Sequence, residues 1–167
     1  MGFKKTSETI AVSFGLTETA ANTFTQEEIA LQLDILNNEI FVVLAIDLDN
    51  QLPDMVGGTS SSVSSSVCST TQTSVQRLDN TNCLATAQVA IQTDAPTNAV
   101  VFSRAAMESY QGDLDYIGLI ATNNFFIQVD GNANLGAKSV TGRVYGYRAR
   151  ADSTTYAALV QSEVLSA

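Results

Sequence analysis

The sequence predicts an all-β fold, an antiparallel β-sandwich with about eight strands and one short C-terminal α-helix. Three observations predict it. Apolar residues recur with a period of two along most of the chain, as in strands with one face on a core. Gly, Pro, Asn and Asp separate these runs at the spacing of a sandwich or barrel. Only the last segment changes to helical spacing. The 167 residues suit one domain. It divides into an N-terminal arm at 1–7, a β-sandwich at 8–151 and an amphipathic helix at 152–167.

The elements follow in order. Ile10, Val12, Phe14 and Leu16 alternate with small or polar residues, and Ile29, Leu31, Leu33 and Ile35 do the same. In "EIFVVLAIDLD", Ile40, Val42, Leu44, Ile46 and Leu48 are expected on one face. The other face begins apolar at Phe41 and Val43 and ends at Asp47 and Asp49, so this strand is read as central with one end in solvent. Residues 58–75, "GTSSSVSSSVCSTTQTSV", are too long for one strand, because eighteen extended residues span roughly 60 Å. "GGTSSS" is read as a loop. The remainder is read as a weakly amphipathic strand whose even positions carry hydroxyls.

Cys83, Ala85, Ala87, Val89 and Ile91 form the next alternating face. The short run "AVVFS" follows, and a weak helical turn is expected at 104–110. "DYIGLIA" and "FFIQVDG" flank Asn123 and Asn124, and asparagine tolerates left-handed turns. "KSVTGRVYGYRARA" closes the series, with Tyr145 and Tyr147 on one face and Val140 and Val144 on the other. In the final helix Tyr156, Leu159, Val160 and Val164 share a stripe, and Asp152 or Ser153 can cap its start.

Composition narrows the function classes. Hydrophobic residues are 45% of the chain, enough for a core, whereas charged residues are only 15%. A surface rich in Ser, Thr, Asn and Gln suits packing among copies of one chain. The formal net charge of −9 disfavours general binding to nucleic acid or anionic membrane. The chain has no His, which excludes Ser-His-Asp and Cys-His catalysis. No apolar run reaches the roughly 18 residues of a transmembrane helix. The start, "MGFKKTSETI", lacks the apolar core of a signal peptide, though Gly2 and Thr6 fit the permissive myristoylation pattern. Cys68 and Cys83 are expected as two small buried thiols, with a disulfide between neighbouring strands as the alternative.

Two groups of residues stand out. Asp47, Asp49, Asp113, Asp115 and Asp130 lie in acidic turns that partly resemble calcium loops. None has the complete pattern, and solvated turns explain each of them alone; calcium would need several gathered at one end. Paired carboxylates also serve glycoside hydrolysis, but the absence of Trp removes the usual sugar platform. Lys138, Arg143, Arg148 and Arg150 are four of the eight cations, with Tyr145 and Tyr147 among them. This strip is read as a contact surface for an acidic neighbouring copy, against the alternatives of nucleic acid or a charge-protected edge strand. No catalytic residue, cofactor site or complete metal site is assigned.

The order of short arm, about eight alternating strands, long Ser/Thr/Gly loops and small C-terminal helix resembles single jelly-roll capsid proteins of small or tailless viruses. The acidic, Thr/Ala-rich composition is similar to that of structural proteins of marine viruses. The resemblance implies a non-enzymatic protein of the virion that self-assembles in many copies, alone or with other virion proteins. Family members that package single-stranded genomes often carry a long basic arm. Here only Lys4 and Lys5 remain, which implies no strong direct hold on nucleic acid. It suits a shell around a membrane, a shell filled by a motor, or a cladding part. The rival readings are a carbohydrate-binding or adhesin module and a phage tail-tube or decoration protein.

Overall fold

The computed structural model describes residues 2–95, 98–104 and 114–165. Ten strands and one α-helix run in chain order: β1 (Phe3–Lys5), β2 (Ile10–Thr17), β3 (Thr25–Ala30), β4 (Glu39–Asn50), β5 (Ser61–Cys68), β6 (Cys83–Ala95), β7 (Asn98–Arg104), β8 (Gly118–Ile120), β9 (Asn124–Asn132), β10 (Ser139–Ala151) and α1 (Ser153–Leu165). The helical turn expected at 104–110 falls, past Arg104, outside the described residues.

The strands form two antiparallel sheets. In the first, β10 lies between β4 and an edge shared by β1 and β2, and β8 borders β4. The second has the order β3-β9-β5-β6-β7. With β1 taken as an extension of β2 and β7 as an added edge, eight strands remain. The first pairs with the last (β2 with β10), then β3 with β9, β4 with β8 and β5 with β6. A chain folded as one long hairpin and wrapped into two sheets gives this order, which is the jelly roll.

Alternation explains the core. Phe14, Phe41, Val43, Ile46, Val140 and Val144 from the first sheet meet Val63, Val67, Phe125, Ile127 and Val129 from the second. The rings of Phe14 and Phe125 cross between sheets, edge to face at 6.0 Å. One polar rivet joins the layers. Ser65 on β5 donates to Asn50 Oδ1 on β4, and Asn50 Nδ2 donates to the Val63 carbonyl at 3.2 Å. The serine-rich stretch is therefore a central strand of eight residues. It is preceded by a tight turn, with Thr59 N–H bonded to the Val56 carbonyl and Gly58 at a positive φ of 75°. Residues 69–82 fold back over its outer face instead of extending it. There Gln76 N–H donates to Ser66 Oγ, and Ser66 donates to Gln128.

Two strands depart from simple alternation. On β4 the ladder passes from Val43 to Ala45 and leaves Leu44 as the extra residue of a bulge. A bulge shifts every later side chain to the other face. Phe41, Val43, Ile46 and Leu48 therefore share the sandwich core, whereas Ile40 and Val42 face outward with Leu44. The single face expected for Ile40 through Leu48 is corrected accordingly. The second strand begins earlier than expected, at Thr25, and ends at Ala30. Gln32 has a positive φ of 54°, which breaks the ladder while Leu31 and Leu33 still reach the core.

The outward residues of the first sheet make a second core. Ile40, Val42, Ala149 and Ala151 are covered by Tyr156, Leu159 and Val160 of α1, with Phe3 and Tyr116 alongside. The helix thus packs on its own sandwich. Asp152 caps it by accepting the Thr155 N–H at 2.7 Å, a bond that holds the Asp152 carboxyl below its ordinary range. Residues 3–5, expected as part of a free arm, are β1, and the Asp152 N–H bonds to the Gly2 carbonyl. Val164, placed on the buried stripe by spacing, is exposed, and Glu163 is buried in its stead.

Candidate functional site

The loops at one end of the sandwich are tied into a polar knot. Glu18, which follows β2, is buried and accepts N–H groups from Thr23, Gly131 and Lys138 at 2.8–3.0 Å. Asn134 donates to the Ser62 carbonyl and accepts the Asp54 N–H, both at 2.9 Å. Asp54 accepts the N–H groups of Leu135 and Gly136 and the ammonium of Lys138 at 2.7 Å. Lys138 holds the Asp54 carboxyl below its ordinary range, with those two N–H groups assisting. Asp54 and Asn134 therefore brace the loops against one another. Local sequence patterns do not reveal Glu18, Asp54 and Asn134 as hubs, because the bonds join positions up to 120 residues apart.

The described acidic candidates do not come together. Asp47 and Asp49 stand on the outer face of β4, opposite Arg143 and Thr141 of β10. Asp130 lies on β9 in the other sheet, where burial and the nearby Glu18 raise its pKa. Asp115 sits in the segment before β8, and Asp113 falls outside the described residues. Among the described residues no group of three or more acidic or cysteine side chains is placed to hold a metal ion.

The β10 strip divides. Lys138 points inward, its side chain 7% exposed, and is paired with Asp54. Arg148 is also used within the chain: its guanidinium donates to the carbonyls of Leu31 and Gln32 and to Glu39 at 2.6–3.1 Å. These are the carbonyls released where β3 stops, so Arg148 caps the broken ladder. Both cations are thus engaged with partners in their own chain. Tyr147 packs on the second core beneath Lys5, whose ammonium lies 4.7 Å from the ring centroid. Arg143 and Arg150 are exposed, and Tyr145 is half-buried on the same outer face as Arg143. With Ser13, Thr141, Asp47 and Asp49, Arg143 and Tyr145 line a shallow depression of about 310 Å³.

Cys68 and Cys83 are opposite each other on β5 and β6 and carry free thiols. Cys68 donates to Cys83; this bond, with burial, pushes the Cys68 thiol up, and the same bond holds the Cys83 thiol down against the opposing effect of burial.

No family model matches this chain, and no curated protein matches it. Among solved structures it is similar to one of Desmodium yellow mottle tymovirus, at 13% identity and a TM-score of 0.33, over 84% of this chain and 81% of that one. The jelly-roll assignment rests on strand order and not on this likeness.

Proposed function

We propose that the protein is a structural subunit of a virion, working by assembly of many copies and not by catalysis. The observation that carries this reading is the jelly-roll strand order, an architecture used by viral shells as well as by lectins and cupins. Fold alone leaves those uses open. The distribution of polar groups favours a building block. Glu18, Asp54, Lys138 and Arg148 are engaged in fixing loops of their own chain. Arg143 and Arg150 are the strip cations left facing outward, and acidic residues outnumber basic ones by 17 to 8. Neighbouring copies can pair across such a surface. Each exposed ion pair contributes only about 0–1 kcal/mol, but the contribution repeats at every contact of an assembly.

Arg143→Glu with Arg150→Glu should reduce particle yield without lowering the Tm of the isolated subunit. High salt should weaken the same contacts, because exposed charges are screened over roughly 10 Å at 0.1 M. Unchanged yield in the double variant would remove the strip from the assembly surface. Particles that form normally but hold less nucleic acid would assign it to genome contact.

A second reading has one observation in its favour. Tyr145 beside Asp47, Asp49 and Thr141 offers a ring and hydrogen-bonding groups in one depression, as a glycan-binding module would. Glycan-array binding abolished by Tyr145→Ala, with a monomeric wild type, would select it.

A further inference from the structure

We propose that β7 is a self-pairing edge through which two copies join their second sheets into one continuous sheet. This inference rests on the assembly reading above and names the contact surface. It starts from the register of the β6–β7 hairpin. β5 accompanies β6 only as far as Ile91, opposite Ser61. β7 continues alongside β6 to Ala95. Gln92–Ala95 of β6 and Asn98–Val100 of β7 therefore pair beyond the end of β5 as a two-stranded ribbon, and such ribbons are marginal in water without further cover.

β7 itself carries apolar residues on both of its faces. Val100, Val101 and Phe102 are 56%, 58% and 53% exposed, three consecutive residues on an edge strand. Phe102 lies opposite Ala90 on the outer face, where they share a shallow depression of about 420 Å³ with Gln88 and Gln92. Val101 lies opposite Ile91 on the other face. Among the described residues, no strand pairs with the far edge of β7. An exposed apolar edge of this kind is a template for another strand.

The other edges differ. β3 carries Glu27 and Glu28, and β8 has three residues. β2 turns Phe14 and Leu16 into the core and leaves mainly small or polar residues outside.

The occupant proposed is a second copy, and the uncharged edge permits its approach. Copies of a chain with net charge −9 repel one another. Residues 95–103 contain no charged residue, so this edge allows close approach with little local repulsion. The strand is also suited to a twofold axis. Antiparallel pairing of β7 with itself over its full length sets Val101 opposite the same residue of the other copy. It sets Val100 opposite Phe102, and Asn98 opposite Arg104. Both copies then present one patch to each other, as an isologous contact requires.

The test uses the full chain. Val101→Lys and Phe102→Lys place a charge on the exposed edge, and melting curves check that each variant is folded. Sedimentation at graded protein concentration should show wild-type association weakened by roughly tenfold or more in both variants. Unlike contacts made by the β10 strip, this association should persist in high salt. Val101→Cys should form a disulfide-linked dimer with oxidised glutathione, faster than Asn98→Cys and faster than the untreated thiols of the wild type. A monomeric wild type at every concentration would overturn the assembly reading itself. A wild type that associates together with folded lysine variants that associate equally well would overturn only the β7 contact.

Discussion

Asp130 and the pair of thiols show how local surroundings set measurable behaviour. Asp130 has its pKa raised, by burial first and by Glu18 second. A carboxyl that binds its proton more tightly when folded makes the fold gain stability as pH falls from the raised value toward the ordinary one near 3.8. At neutral pH the charged form is a net cost. Asp130→Asn should therefore raise the Tm at pH 7, and the gain should disappear below the ordinary carboxylate pKa. A lower Tm at pH 7 would contradict this. The two thiols also differ. Cys68 is fully buried and donates its S–H, whereas Cys83 is half-buried and receives it. Since the thiolate is the nucleophile, an alkylating reagent should modify Cys83 first and reach Cys68 only on unfolding. Peptide mapping after brief exposure distinguishes the sites, and equal labelling would contradict the bonded pair.

At the scale of elements, β10 and α1 carry the most specific demands. β10 passes beneath two aromatic rings at its glycines. A Cβ on Gly146 would meet the Val42 carbonyl and lie 2.6 Å from the Phe41 ring, and one on Gly142 would lie 2.8 Å from the Phe14 ring. Gly146→Ala should destabilise the fold by about 1–3 kcal/mol, the usual cost of overpacking, as denaturant unfolding would show. On α1, Glu163 reaches across to accept the N–H groups of Ala121 and Thr122 at 2.8 and 3.2 Å, just past the end of β8. Glu163→Ala leaves two donors without this partner, one of them at a buried residue, and should cost about 1–3 kcal/mol, with Glu163→Gln milder. An Ala variant as stable as wild type would contradict the bridge.

These positions also show what sequence could and could not convey. Period-two runs located β2, β6, β9 and β10, because those strands keep one face on the core throughout. The β4 bulge was hidden, because "IFVVLAI" is apolar on both faces and gives no sign of where parity changes. Glu163 broke the helical stripe for a tertiary reason, its bond to a strand 42 residues away. The β10 cations read as one strip, yet Lys138 and Arg148 are turned inward by partners that no local pattern reveals.

For the whole molecule, the jelly roll follows from pairing the two halves of the chain in reverse order, and its ends are sealed in different ways. The β2–β3, β4–β5 and β9–β10 loops are joined by Glu18, Asp54 and Asn134, while α1 and β1 close the outer face of the first sheet. Among the described residues, the apolar β7 edge and the Arg143 region are left exposed. A subunit built this way is expected to find its partners among its own copies. Electron microscopy of the purified chain, concentrated stepwise at moderate salt, tests that claim most directly. The account predicts regular many-copy particles or sheets with a repeating subunit. A field of dispersed single subunits at every concentration and salt would contradict it.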